Sequence, residues 1–194
     1  VVHPSVPVTS VTQLIALARA RPDRLSAGSG GVGTTSHVTL EVFKSVTKTK
    51  ITHVPYKGGA LAVTDLVGGH VQLAFVTVSS SIEQIKAGKI IALAVSTPTR
   101  APELPNVPSV SDYYPGYDVL SWSGLVAPRA TPPEIVALLS REVNAALADP
   151  TIQKRFTDVG SSTFPGTPEA FAKFLVEDTE RMGKIIKFAG LKPG

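Results

Sequence analysis

Short β-branched runs alternate with stretches of helical periodicity over residues 1–118, and this alternation constrains the fold more than any other feature. The run from Val71 to Val78 is almost unbroken in its apolar character, and Ile90 to Thr97 is similar. Such runs are typical of strands that are buried on both faces. Further strands are predicted over residues 24–28 and 50–56. The pattern therefore predicts an α/β architecture with mostly parallel strands.

Helical spacing and end signals predict the remaining elements. The predicted helices are Ser10–Arg21, Thr35–Thr47, Gly59–Val67, Ser80–Lys86, Thr131–Ala148, Thr151–Val159 and Thr167–Phe188. Residues 98–118 are rich in proline and predict a long connection with one helical turn around residues 107–114. A strand is expected over residues 119–128 and a short one over residues 162–165. The part after residue 118 is thus nearly all amphipathic helix, which makes a thin domain by itself.

Composition excludes several classes of function. The net charge is only +4 and aromatic residues make up 6% of the chain, which argues against a nucleic-acid interface. The chain has no cysteine, so disulfides, thiolate zinc sites and cysteine nucleophiles are excluded. We also find no H-E-x-x-H motif or paired carboxylates, and therefore expect no metal, no cofactor and no catalytic residues. The modest positive balance fits an anionic small ligand.

The segment from Gly28 to Ser36 is the strongest local candidate for a binding site. It lies between a predicted strand and a predicted helix, and its glycines allow a ligand to approach the backbone closely. The helix N-terminus offers unpaired N–H groups and partial positive charge, to which Ser29, Thr34 and Thr35 add hydroxyl groups. A tight turn with a hydroxyl cap explains the same residues equally well, so both interpretations stay open here.

Other candidate ligand-binding residues follow the predicted strands. Tyr56 and Lys57 lie at the carboxyl end of the strand predicted over residues 50–56, and Thr77 and Ser79 lie at the carboxyl end of the apolar run. Ligands of open α/β sheets bind at the carboxyl ends of the strands. Since donors are present and no base or nucleophile can be placed, the sequence favours binding over turnover. The alternatives are an α/β enzyme acting on a phosphorylated small substrate and a ligand-sensing domain of a regulator.

A series of strings along the chain resembles one known family, the substrate-binding receptors of tripartite tricarboxylate transporters, also called the Bug family. The strings are Gly28–His37, Thr52–Gly59, Ile85–Lys89, Leu93–Ser96, Leu104–Val110, Pro115–Tyr117, Trp122–Pro128, Ala148–Pro150 and Gly166–Glu169. They occur in order over essentially all 194 residues. The resemblance is to the C-terminal portion of such a receptor.

The resemblance implies a periplasmic, two-lobed fold of the periplasmic-binding-protein type that closes on a small carboxylate and passes it to membrane permease subunits. Residues 1–118 would form the second lobe, complete. Residues 119–194 would form the interlobe return strand and the C-terminal helices of a partial first lobe. The uncovered apolar face of that partial lobe leads us to expect a dimeric or domain-swapped fragment.

The resemblance also implies a binding site. Its ligand-binding positions fall on Ser29, Gly30, Gly33, Thr34 and Thr35. The full set of predicted ligand-binding residues adds those proposed from the local pattern, namely Gly31, Tyr56, Lys57, Thr77 and Ser79. Many family members carry an aspartate at the position of Val76. Its replacement here favours a plain mono- or dicarboxylate over an amino acid.

Overall fold

The computed structural model describes residues 1–191 and shows an α/β fold. The helices are α1 (Val11–Ala20), α2 (Thr35–Thr47), α3 (Gly59–Val67), α4 (Val78–Lys86), α5 (Pro133–Ala148), α6 (Pro150–Asp158) and α7 (Pro168–Phe188). The strands are β1 (Ser26–Ser29), β2 (Thr52–Pro55) and β3 (Leu73–Ala74), and a 3-10 turn spans Val110–Asp112. The chain divides into two compact units, Val1–Ser121 with the segment from Ile185 onward, and Trp122–Lys184.

A parallel three-stranded sheet organises the first unit, with the strand order β2-β1-β3. The central strand β1 pairs Ala27 with His53 on one side and with Leu73 on the other. Next to β3, Val2 bridges both Leu73 and Ile91 in antiparallel fashion. The chain runs from β1 to β2 on one side of the sheet and then to β3 on the other side of β1. The carboxyl ends of the strands therefore form a topological switch point, which is the usual ligand-binding position of such sheets.

Helices cover the sheet and bury one apolar core. One cluster of this core is formed by Val63 and Leu66 of α3 with Val71, Ala74 and Ile90. Leu66 is fully buried, so its truncation to alanine would remove about 2–5 kcal/mol of stability. This core fixes α3 against β3 and thereby holds the turns at the end of the sheet.

The helices agree with the sequence-based prediction more closely than the strands do. The bounds predicted for α2 and α3 are those observed. The long strands predicted over residues 71–78, 90–97 and 119–128 are wrong, because only Leu73–Ala74 forms a strand there. Residues 90–97 make isolated bridges only, and residues 120–130 are exposed. The reason is that a strand needs a paired neighbour, and no described residue pairs with 120–128. The short strand predicted over residues 162–165 is also not observed.

The second unit consists of α5, α6 and most of α7, and a cluster around Trp122 packs against α7. Trp122 packs edge-on against Phe171 and Phe174, and its indole N–H donates to the carboxylate of Asp178 at 2.9 Å. Partial burial acts to raise the pKa of Asp178, but the hydrogen bonds from Trp122 and Arg181 outweigh it and lower that pKa.

The second unit has no buried residue in Trp122–Lys184, all of which the structure describes. Large apolar side chains are therefore exposed, among them Leu125 at 76%, Val126 at 81% and Phe164 at 92%.

The dimeric or domain-swapped state and the assignment of 1–118 and 119–194 as lobes stay predictions. The dimer is tested by sedimentation over a range of concentrations. None of the helices in the described part of the chain is both long enough and apolar enough to cross a bilayer.

Candidate functional site

Three turns meet at the carboxyl edge of the sheet, and each leads directly into the N-terminus of a helix. The β1–α2 turn covers residues 30–34, the β2–α3 turn covers 56–58 and the β3–α4 turn covers 75–77. The first two turns are joined through their backbones, since the Gly58 amide donates to the Gly30 carbonyl at 3.1 Å. The approach to α4 is also close, because a Cβ placed on Gly59 would lie 3.1 Å from the hydroxyl of Ser80. Three helix N-termini, each with partial positive charge, are thus brought side by side.

The β1–α2 turn satisfies much of its own hydrogen-bonding capacity. The Gly30 amide donates to the Ser36 hydroxyl at 2.9 Å, and the Gly31 amide donates to that of Ser29 at 3.2 Å. The Thr34 hydroxyl donates to the Gly31 carbonyl at 2.7 Å and accepts from the amide of His37 as the cap of α2. The alternatives left open by the sequence are therefore not exclusive, since the predicted anion-binding turn is also a tight, capped strand-to-helix turn.

Helices α3 and α4 begin without a side-chain cap. The residue before α3 is Gly58, which has no side chain to offer, and Thr77 before α4 makes no capping bond to the helix backbone. The Thr77 hydroxyl instead contacts the hydroxyls of Ser79 and Ser80, each at 3.1 Å. Uncapped N-termini leave amide donors for a ligand. The best placed anion donors are therefore those of α3 and α4, next to the turn singled out from sequence.

A pair of stacked histidines supports the base of the β1–α2 turn. The rings of His37 and His53 lie 4.1 Å apart with an interplanar angle of 13°. His53 Nε2 lies 2.6 Å from the Ser29 hydroxyl, and His37 Nδ1 accepts a hydrogen bond from the Gly33 amide at 3.1 Å. The pair thus ties β2 and α2 to both ends of the turn.

Burial of His53 lowers its pKa, and the neighbouring His37 lowers it further. Because His37 Nδ1 acts as an acceptor, its proton in the neutral form lies on Nε2, which is 3.8 Å from Glu41. The lowered pKa of His53 favours its uncharged form, in which the ring can stack on His37 without a charge of its own.

The remaining predicted site residues are placed differently from one another. Thr77 and Ser79 are exposed at the carboxyl edge, and so is Lys57 in the β2–α3 turn. Tyr56 instead donates its hydroxyl to Asp65 of α3 at 2.7 Å. Burial first, and this hydrogen bond second, raise the pKa of Tyr56 to about 12. The structure thus brings Lys57, Thr77 and Ser79 to the edge and engages the Tyr56 hydroxyl within the lobe.

Two surface cavities lie away from this edge. A cavity of about 320 Å³ is lined by Thr12, Ile15, Ala16, Arg19, Tyr113 and Tyr114. A cavity of about 210 Å³ lies between α3 and the end of α4. The turns, unlike these cavities, bring together backbone amide donors at two uncapped helix N-termini. Within residues 1–191 no group of three or more His, Asp or Glu side chains could hold a metal ion.

Sequence analysis did not identify the contact between Gly59 and Ser80, nor the roles of Ser36 and the stacked histidines. One available signal was Gly58-Gly59 at a helix start, where a capping Ser, Thr, Asp or Asn is usual. The histidine stack had no such signal, because it depends on α2 lying over β2.

Comparison with known proteins agrees with this fold. The family model described as "Tripartite tricarboxylate transporter family receptor" matches residues 1–191. A protein of Pseudomonas sp. (strain P51), from the tcbD-tcbE intergenic region, is 37% identical over 91% of this chain and 53% of its own length. Protein BugT of Bordetella pertussis is 30% identical over 99% of this chain and 59% of its own. The chain thus spans little more than half the length of these relatives.

Solved structures give the same result. The R. palustris protein Rpa4515, solved with adipate, matches with a TM-score of 0.96 and 38% identity over 100% of this chain and 65% of its own. The periplasmic binding protein BugD matches with a TM-score of 0.90 and 28% identity over 98% and 65%. MatC from Rhodopseudomonas palustris, solved with bound malate, matches with a TM-score of 0.85 and 27% identity over 95% and 64%.

The parallel sheet with its row of helix N-termini, together with these matches, defines the fold as that of a periplasmic solute-binding protein. More specifically, the chain belongs to the receptor family of the tripartite tricarboxylate transporters. The resemblance stated from the sequence is thereby confirmed.

Proposed function

We propose that this chain is the ligand-binding portion of a periplasmic receptor that captures a small carboxylate and delivers it to the membrane subunits of a tripartite transporter. The observation that carries the proposal is the row of helix N-termini at the carboxyl edge, of which α3 and α4 have no side-chain cap. Backbone amide donors in this arrangement are suited to binding a carboxylate, and they provide no group that would react with it. The protein accordingly binds its ligand and does not turn it over.

The charge pattern of the site supports an aliphatic dicarboxylate. The turns at residues 30–34, 56–58 and 75–77 contain one charged side chain, Lys57, and no carboxylate. A ligand ammonium group would thus have no counter-ion in these turns, whereas a carboxylate would meet amide donors and a cation. The related Rpa4515 was solved with adipate, which has this chemistry.

Calorimetric titration of the 194-residue chain tests this proposal with adipate, malate, benzoate and glutamate. We expect adipate and malate to bind more tightly than glutamate. Lys57→Gln should weaken dicarboxylate binding by roughly two- to fivefold, the effect of one exposed charge. Lys89 is also an exposed lysine and follows α4, so Lys89→Gln is the matched control and should leave affinity unchanged.

The same titration separates the alternatives. If phosphorylated sugars bind and no carboxylate does, the receptor proposal is wrong and an enzyme acting on a phosphorylated substrate takes its place. If glutamate binds best, the site is a receptor site but the assignment of a plain dicarboxylate is wrong.

A further inference from the structure

A cluster of cations lies at the amino ends of β1 and β2, opposite the ligand edge. It consists of Arg19, Arg21, Arg24, Lys48 and Lys50, and we refer to it as the basic end. All five side chains are exposed. No ion pair found among residues 1–191 involves any of them. With the neighbouring Asp23 included, the basic end is therefore a surface of strong net positive charge.

Backbone contacts make these residues one surface rather than two separate turns. The Asp23 amide donates to the Lys50 carbonyl at 3.2 Å, which joins the α1–β1 turn to the α2–β2 turn. The Arg19 guanidinium donates to the Thr47 carbonyl at 3.0 and 2.7 Å, and so holds the C-terminus of α1 against that of α2. The five cations thus share one end of the lobe.

The basic end accounts for the whole net charge of the chain. The sequence has 19 Lys and Arg against 15 Asp and Glu. Without the five cations of the basic end and the neighbouring Asp23, 14 residues of each sign remain. The positive charge is thus concentrated at the end that faces away from the ligand site, so ligand binding does not explain it.

The chemistry of the basic end fits a lipid surface better than a protein. No large apolar side chain among residues 19–25 or 47–51 is exposed. Specific protein interfaces are usually anchored by buried aromatic residues and are depleted in lysine, whereas adsorption to an anionic bilayer requires only clustered Lys and Arg. A periplasmic protein also works beside a membrane leaflet.

We propose that the basic end binds the anionic phospholipid headgroups of a bilayer. The contact is electrostatic, reversible and weakened by salt, since it has no apolar anchor. It holds the lobe at the membrane with the carboxyl edge of the sheet directed away from the bilayer. Ligand binding and lipid binding therefore use opposite ends of one sheet.

Co-sedimentation of the chain with large vesicles tests the proposal. The vesicles contain phosphatidylcholine alone or with about 30% phosphatidylglycerol, at low ionic strength. We expect binding to the anionic vesicles only, and its loss at about 0.5 M salt. The variant with Arg21, Arg24, Lys48 and Lys50 all changed to Gln should lose more than roughly a hundredfold in partitioning, because each cation contributes about fivefold.

The matched control changes the four exposed lysines Lys86, Lys89, Lys154 and Lys173 to Gln, which alters net charge by the same amount. It should retain binding within roughly fivefold. A second test variant, Lys48→Glu with Lys50→Glu, leaves all arginines in place and should also abolish binding. Circular dichroism confirms that each variant is folded.

The proposal is overturned if the parent chain does not bind anionic vesicles, if the control variant loses as much binding, or if binding is insensitive to salt. Tighter binding to polyglutamate than to the vesicles would overturn it in favour of an acidic protein partner. The carboxylate titration above is independent of all these outcomes.

Discussion

Gly58 occupies a backbone conformation that only glycine adopts readily, and this makes it a sharp test of the proposed site. Its φ of 118° and ψ of 155° lie in a region that is essentially restricted to glycine. The residue directly precedes α3, and its amide donates to the Gly30 carbonyl at 3.1 Å. We therefore choose Gly58→Ala as the perturbation.

The magnitude follows from the surroundings of this residue. A Cβ placed on Gly58 meets no atom within 4 Å, so steric overlap with other residues adds nothing. The cost is backbone strain alone, which is about 1–3 kcal/mol. For a chain of this size each kcal/mol lowers the melting temperature by about 2–4 °C, so we expect a decrease of roughly 2–12 °C.

The strain can be relieved only if the turn moves, and movement shifts the N-terminus of α3. Gly58→Ala should therefore reduce carboxylate affinity as well as thermal stability. The assay pairs differential scanning calorimetry with titration of adipate. Gly88→Ala is the control, since Gly88 also has positive φ and an open Cβ position but lies at the end of α4 away from the site. The control should lower stability and leave affinity unchanged.

The reasoning is refuted if Gly58→Ala changes neither the melting temperature nor adipate affinity. It is equally refuted if Gly88→Ala weakens adipate binding as much as Gly58→Ala does, because the effect would then be one of global stability.

Two further predictions concern other parts of the chain. The pKa of His53 is lowered from its ordinary 6.5 in the folded state, so the unfolded state binds more protons just below that pH. The free energy of unfolding should therefore fall as pH drops below about 6.5, as chemical unfolding at several pH values would show. The fall should be shallower in His53→Gln, whereas the control His70→Gln, at an exposed histidine, should not make it shallower. Gly124→Ala would place a Cβ onto the ring of Phe171, so we expect altered fluorescence of the single tryptophan and reduced stability. Gly183→Ala, in open space within α7, should instead raise stability by about 0.5–1 kcal/mol, and an unchanged tryptophan signal in Gly124→Ala would contradict the packing argument.

The helices were predictable because their signals are local. The sequence around α2 contains both its cap, Thr34, and its apolar face, and the predicted bounds are those observed. For α1 the prediction of Ser10–Arg21 included one flanking residue at each end of the observed Val11–Ala20, and Ser10 is the predicted cap, accepting from the Gln13 amide. Strand length is decided by partners distant in sequence. The apolar run at residues 71–78 contains only a two-residue strand, because its later part is needed to begin α4.

The position of the glycine-rich turn was predictable from the sequence, but the amides that stay free within it were not. The glycine-rich turn was correctly located between a strand and a helix, since that follows from the local pattern. Side chains of the folded turn compete with a ligand for the backbone amides, and this competition decides which amides stay available. Ser36 and His37 occupy the amides of Gly30 and Gly33, and neither contact is encoded by spacing alone.

The same competition explains why the two less conspicuous turns are the better donors. A hydroxyl beside a helix start usually caps the helix and thereby consumes the partial positive charge that an anion would use. Thr34 does so for α2, whereas Gly58 cannot do so for α3. Thr77 is of the capping type, but its hydroxyl contacts neighbouring side chains instead of the helix backbone. An anion site at a row of helix N-termini is therefore strongest where the capping residue is missing or diverted, and a motif search that rewards hydroxyl groups ranks these turns in the wrong order.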